Sequence, residues 1–198
     1  MERFFAREQT YGTIFGSEKV KKEISRLYAS ISPEEILTEH GATGGNQHIF
    51  FSLIRPGDRV IAFSPSYQQF YSAPEALGAE VTVLRLRREN GYLPDLDELS
   101  RVAARGVRMI CLNNPNNPTG SLIPADMMAD IVTIARRAGA YLFCDEVYSG
   151  VSIDGASTPS VADLYEKGIA TGSMSKAFSL AGLRLGWLAT HDRQALAQ

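Results

Sequence analysis

Lys176 stands in "GSMSKAFSLAGLR", between small hydroxyl residues and a run of Ala, Phe and Leu, with no acidic residue beside it. An amine in apolar surroundings has its charged form disfavoured. Its pKa then falls, and the neutral amine becomes a nucleophile toward a carbonyl. A surface lysine with its stem laid along a helix is the commoner fate of such a residue and fits the same letters. Asp145 and Glu146, in "YLFCDEVYSG", end an apolar run. Carboxylates placed there are costly unless paired, so at least one should have a cationic partner or a metal, and a structural ion pair explains them as well as a functional site does. Tyr148, two residues on, either turns its phenol toward the same place or simply packs.

Three further strings bear on chemistry. In "NNPNNPTG", residues 113–120, the prolines and glycine impose a rigid turn, but a turn gives little reason for four amides. They suggest hydrogen bonds to something polar at a strand end. The run "GATGGNQ", residues 41–47, offers backbone N–H groups and a helix dipole to an anion such as phosphate. It has neither the G-K-[ST] of a P-loop nor G-x-G-x-x-G. Arg184 could supply the bidentate fork that phosphate favours, although a solvated charge at a strand edge is its plainer explanation. Finally, Ser173-Met174-Ser175-Lys176 fits S-x-x-K, an acyl-enzyme nucleophile motif. Its companions S-D-N and K-T-G are missing, which sets it below the amine.

These residues need a frame to bring them together. Residues 17–29 open on Ser17 as a cap and put Val20, Ile24 and Leu27 on one helical face. "EILTEHG" is a short strand running into the glycines, and "NQHIFFSLI" a helix stopped by "RPGD". Next come strand "RVIAFSP", helix "SYQQFYSAPEAL", strand "EVTVLRL" and the capped helix "LPDLDELSRVAA". Strand "VRMICLNN", helix "PADMMADIVTIARRA" and strand "AYLFCDEV" succeed them, and "GIATGSM" and "RLGWLAT" flank the lysine segment as two more strands. Strands alternating with helices predict an α/β fold on a mostly parallel sheet, with functional groups at the carboxyl ends of the strands. Four unusual strings fall at such ends, so four strand ends are expected to converge on one site.

Composition sets the outer bounds. At 198 residues there is room for one domain, or one with part of a second, and 44% apolar with 21% charged residues suits a packed core. A net charge of −2 gives no reason to expect nucleic acid or an anionic membrane as a partner. No apolar run approaches membrane-spanning length, and "MERFFAREQTYG" does not have the form of a signal peptide. Cys111 and Cys144 lie singly in apolar runs and read as buried reduced thiols of a cytoplasmic protein. The three histidines lack metal-ligand spacing, and no metal is expected.

Taken in order, "NNPNNPTG", "CDEVYSG" and "SMSKAFSLAGLRLGW" resemble the class I/II aminotransferases, pyridoxal-phosphate enzymes of fold type I. The likeness extends from "YGTIFGSEKVKKEI" to "RLGWLA". It implies the large domain of that fold, a mostly parallel mixed sheet sandwiched by helices, over residues 1–190. About the first 15 residues would contact a partner subunit, and residues 191–198 would begin a small domain whose remainder is missing. That remainder would carry the arginine for the substrate's α-carboxylate. The resemblance implies pyridoxal 5'-phosphate as cofactor, an amino acid and a 2-oxo acid as substrates, and a homodimer. Lys176 matches the lysine that carries the cofactor and later moves the α-proton. Asp145 matches the carboxylate that keeps the pyridine nitrogen protonated. Tyr148 and Asn117 match the hydrogen-bonding pair at the ring's phenolic oxygen. Ser173, Arg184 and the backbone of Gly45 and Asn46 match phosphate ligands, although many relatives have Ser or Thr at position 46. Tyr67 matches the stacking aromatic, and Tyr11 a tyrosine that reaches the neighbouring subunit's phosphate. The same motifs would serve a β-lyase, decarboxylase, cyclase or racemase, or a remnant that holds cofactor without turnover.

Overall fold

The apolar runs form seven strands in the computed structural model, which describes residues 12–153 and 155–196. They are β1 (Ile36–His40), β2 (Arg59–Ser64), β3 (Glu80–Arg85), β4 (Met109–Asn113), β5 (Tyr141–Asp145), β6 (Gly168–Ser173) and β7 (Leu185–Ala189). They make one sheet in the order β1-β7-β6-β5-β4-β2-β3. β2 to β6 pair in parallel, whereas β7 runs against both its neighbours, β1 and β6. The reason for the reversal is length: the connection 174–184 is too short to return a chain to the starting edge through a crossover helix. Every residue of β4 and β6 is buried, as strands covered on both faces require.

Helices α1 (Glu18–Ser25), α4 (Leu96–Ala103), α5 (Ala125–Ala138) and α6 (Val161–Leu164) cover one face. Their Ile24, Leu99, Ile131 and Val161 pack on Ile110, Leu112, Leu142 and Cys144 of the sheet. Helices α2 (Gly41–Leu53), α3 (Gln69–Ala76) and α7 (Arg193–Leu196) cover the other. There Phe50 and Phe70 meet Phe143 edge to face, with centroids 5.5 and 5.8 Å apart. Among the described residues no helix is long and apolar enough to cross a membrane.

Two local expectations need correction. Ser17 precedes α1 but makes no side-chain cap bond, and the helix stops at Ser25, which leaves Leu27 53% exposed. The glycine-rich run is not a loop before a helix: Gly41 is already the first residue of α2. Tertiary packing overrides glycine's poor helix propensity here. A Cβ on Gly186 of β7 would lie 2.3 Å from the Gly41 carbonyl carbon and 2.6 Å from the Ala42 nitrogen, so backbone meets backbone. Gly186→Ala is therefore expected to destabilise the chain by about 3 kcal/mol, the upper range for overpacking. Gly44→Ala, whose nearest atom is His40 Cβ at 3.4 Å, should instead be neutral or stabilising by roughly 1 kcal/mol. Urea unfolding of the two variants measures both, and equal effects would contradict the packing account.

Candidate active site

The carboxyl ends of β2, β4, β5 and β6 and the first turn of α2 open onto one cleft of about 270 Å³. Asn113, Asn117, Asp145, Tyr148, Ser173, Lys176, Arg184 and Tyr67 all line it, together with Ala42, Thr43 and Ser175. A broader hollow of about 550 Å³ shares Asn117 and Tyr148 with it and is walled by Leu122, Val151 and Ile153. Tyr148 is that hollow's only ionisable lining residue among those described, so the chemistry lies in the smaller cleft.

Alternation along β5 separates the two carboxylates. Asp145, 4% exposed, faces the cleft: its Oδ2 accepts from Asn46 Nδ2 at 3.0 Å and its Oδ1 from the Val147 N–H at 3.1 Å. Burial pushes its carboxyl up to about 6, against the pull of those hydrogen bonds and of the Lys176 charge. Glu146 does not line the cleft; it accepts the N–H of Val161 at the start of α6, at 3.0 Å, and burial lifts it to about 7. Among the described residues neither carboxylate joins an ion pair, and the partners found for both are hydrogen-bond donors.

The amides of "NNPNNPTG" mostly brace the loop against its surroundings. Asn113 Nδ2 donates to the Asp145 carbonyl at 2.9 Å, while its Oδ1 accepts the Asn117 N–H at 2.7 Å. Asn114 Oδ1 accepts from the Ile123 N–H at 2.8 Å, and Asn116 Nδ2 donates to the Pro65 carbonyl at 3.1 Å. The side chain of Asn117 is the one left for the cleft, held between two cis peptide bonds, Asn114–Pro115 and Asn117–Pro118.

An anion cradle lies at the start of α2, one turn earlier than expected. The first amides of a helix lack intrahelical acceptors, here those of Gly41, Ala42 and Thr43 after the cap residue His40, whereas those of Gly44, Gly45 and Asn46 belong to the ladder. Asn46 is 0% exposed, and neither it nor Gly45 lines the cleft. Arg184 completes the cradle: a Cβ on Gly41 would lie 2.7 Å from its Nη2, so only glycine lets the guanidinium sit there. Arg184 holds φ +51°, its Nη1 donates to the Ala181 carbonyl at 3.1 Å, and Ser179 in the same connection holds φ +56°. Two non-glycine residues in the left-handed region within a few residues mark a backbone held for placement.

Lys176 is exposed, not enclosed. Its Nζ lies 5.8 Å from the centre of the Tyr148 ring, within cation–π range, while Phe178, Leu180 and Leu183 turn outward. Ser173 Oγ accepts the Ser175 N–H at 3.3 Å, and among the described residues no hydrogen bond joins Ser173 to Lys176, so the S-x-x-K pairing is not formed. Tyr67 is steadied edge to face on Phe70 at 5.9 Å. Tyr11 lies outside the described residues. Sequence reasoning missed Ala42 and Thr43; starting α2 at Gly41 would have found them.

Residues 5–198 match the profile of the family described as Aminotransferase class I and II. The chain belongs to that family. Its relatives include an aspartate aminotransferase of Thermotoga maritima, 27% identical, with 91% of this chain and 48% of that protein covered. An LL-diaminopimelate aminotransferase of Syntrophobacter fumaroxidans is 33% identical, with 77% and 40% covered. A solved PLP-dependent aminotransferase of Streptococcus suis aligns with a TM-score of 0.93 at 43% identity, covering 98% of this chain and 51% of that one. The chain thus spans about half the length of the relatives it matches.

The aminotransferase cofactor is pyridoxal phosphate, and the cleft fits it. Open amides and a guanidinium suit its phosphate, a buried carboxylate with lone pairs left over suits its ring nitrogen, and a primary amine suits its aldehyde.

Proposed function

We propose that the protein serves pyridoxal-phosphate-dependent transfer of an amino group between an amino acid and a 2-oxo acid. Residues 1–190 would act as the cofactor domain, and residues from 191 would open a second one. The observation that carries this is the meeting, in one cleft, of a lysine amine, a buried carboxylate and an arginine set on a helix N-terminus. Bound there, the cofactor supplies a ring that draws electrons from the substrate's Cα.

The protein's own groups do the rest. Arg184, Ser173 and the open amides of α2 would bind the phosphate, and Asp145 would hold positive charge on the ring nitrogen. Asn117 and Tyr148 would serve the phenolic oxygen, and Tyr67 would face the ring. Lys176 Nζ would carry the cofactor and, once free, take the proton from Cα. A homodimer, in which Tyr11 reaches the partner's phosphate, agrees with the exposure of Ile14 at 92%, Phe15 at 57% and Phe51 at 59%. Two buried, unpaired cysteines agree with a role in cytoplasmic amino-acid metabolism.

The test is an absorbance titration with pyridoxal phosphate, followed by a panel of amino acids. The expected result is a saturable band that shifts with at least one donor, with 2-oxo acid formed beyond one equivalent of the bound cofactor only when an acceptor is added. Acceptor-independent release of ammonia or thiol would point to elimination instead, and the absence of any band would end the proposal.

A further inference from the structure

Asn46 is sealed from solvent one turn inside α2. A buried amide needs partners for two N–H donors and a carbonyl oxygen. All are present: Oδ1 accepts from Thr171 Oγ1 at 2.9 Å, and Nδ2 donates to Asp145 Oδ2 at 3.0 Å and to Gln69 Oε1 at 3.2 Å. An ionised carboxylate only accepts, which fixes the amide's orientation. Gln69 Nε2 in turn donates to the Thr43 carbonyl at 3.0 Å, so the network ties α2 to α3, β5 and β6. Gly45 eases the approach. A Cβ there would lie 3.2 Å from Leu188 Cδ2 and 3.4 Å from Thr171 Cγ2, so those side chains would have to yield by a few tenths of an ångström.

We infer that Asn46 is a positioning residue: by donating to Asp145 Oδ2 from outside the cleft, it keeps that carboxylate ionised and aimed into the cleft, ready for a cationic ring nitrogen. The last clause rests on the proposed cofactor; the coupling of Asn46 to Asp145 does not. A shorter hydroxyl side chain has one donor and could not serve Asp145 and Gln69 together. Burial works against the charge on Asp145, and the donors of Asn46 and Val147 work for it. The ionisable groups near it are Lys176 and Arg184 on the β6–β7 connection, Tyr67 beyond β2, Tyr148 beyond β5, and Glu146 and Cys144 on either side in sequence. Among the described residues, α2, α3 and β6 bring to the network the neutral Asn46, Gln47, Gln69 and Thr171.

The test tracks the Asp145 carboxyl carbon by NMR against pH in the full chain without cofactor, then measures pyridoxal-phosphate affinity. In Asn46→Leu, of similar volume but without a donor, the Asp145 midpoint is expected to rise by about one pH unit or more, tenfold in proton affinity. Thr171→Val keeps the donor and should leave the midpoint near that of the unaltered chain. Cofactor binding by Asn46→Leu should weaken about twofold at pH 7 and close to tenfold below about pH 5, and recover as pH rises, which packing damage alone would not produce. If the leucine variant does not fold, the isosteric Asn46→Asp should show two coupled carboxyls, the later proton leaving well above the ordinary Asp145 midpoint. An Asp145 midpoint unmoved in the variant that folds overturns the inference. A chain that shows the shift but binds no cofactor upholds the coupling and defeats the proposed function alone.

Discussion

Lys176→Ala is expected to yield a folded chain that borohydride can no longer fix covalently to pyridoxal phosphate, with amino transfer slowed by about 10⁴-fold or more. The size reflects the loss of the covalent attachment and the proton carrier together. The fold should be untouched, because among the described residues the exposed Nζ makes no hydrogen bond and meets only the Tyr148 ring. Stability should stay within about 0.5 kcal/mol, as for surface substitutions generally. Mass spectrometry after reduction, thermal unfolding and rate measurement on the same preparation separate the two effects. Undiminished transfer by the variant would remove Lys176 from the chemistry.

Asp145→Asn is the second large effect, expected to slow transfer by about 10² to 10³-fold, the usual loss when one preorganised electrostatic contact at a reacting centre is removed. Its signature in stability is a slope. The carboxyl of Asp145 is lifted from 3.8 to about 6 and that of Glu146 from 4.5 to about 7, burial being the main cause of both. Folded values above the unfolded ones mean that the native state holds these protons more tightly. The stability they contribute is full below about pH 4 and is lost as pH rises through 6 and 7. Glu35, held below its usual range by His191 and Ser32 despite burial, acts in the opposite sense only at lower pH. Asp145→Asn should flatten the slope between about pH 4 and 6 and leave the part due to Glu146. At pH 7.5 the variant escapes a burial penalty of about 3 kcal/mol. It also sets an amide donor against Asn46 Nδ2 or the Val147 N–H, costing about 1–3 kcal/mol. The two offset, so the change of slope is the measurement to make. An unchanged slope would show that Asp145 is not the buried acid.

Much of this was readable in the chain because buried parallel strands are written as apolar runs closed by turn residues. "MICLN", "YLFCD" and "GIATGS" became β4, β5 and β6, and the residues just beyond each strand, among them Asn117, Tyr148 and Lys176, line the cleft. The misreadings share a physical origin: contacts between segments remote in sequence. Glycine's propensity argues against a helix at residue 41, but its close contact with Gly186 of β7 outweighs that. The Asn46 side chain turns inward to Asp145, 99 residues away, a partner that no local pattern names. The apolar residues after Lys176 suggested a pocket, yet nothing in "AFSLAGL" says which way the connection faces, and it faces outward. Nor could adjacency reveal that Asp145 and Glu146 would part company across the sheet.

The reversed direction of β7 gives the site a modular inheritance. Because the chain turns back directly after β6, the amine of Lys176 and the guanidinium of Arg184 arrive on one continuous piece of backbone, clamped at its mouth by the Met174 N–H on the Leu185 carbonyl at 3.0 Å. A graft of that hairpin onto a foreign parallel sheet would carry the nucleophile and the anion handle as one cassette. Asp145 cannot travel with it: its ionisation is set by neighbours on other elements, and it would have to be rebuilt in the host.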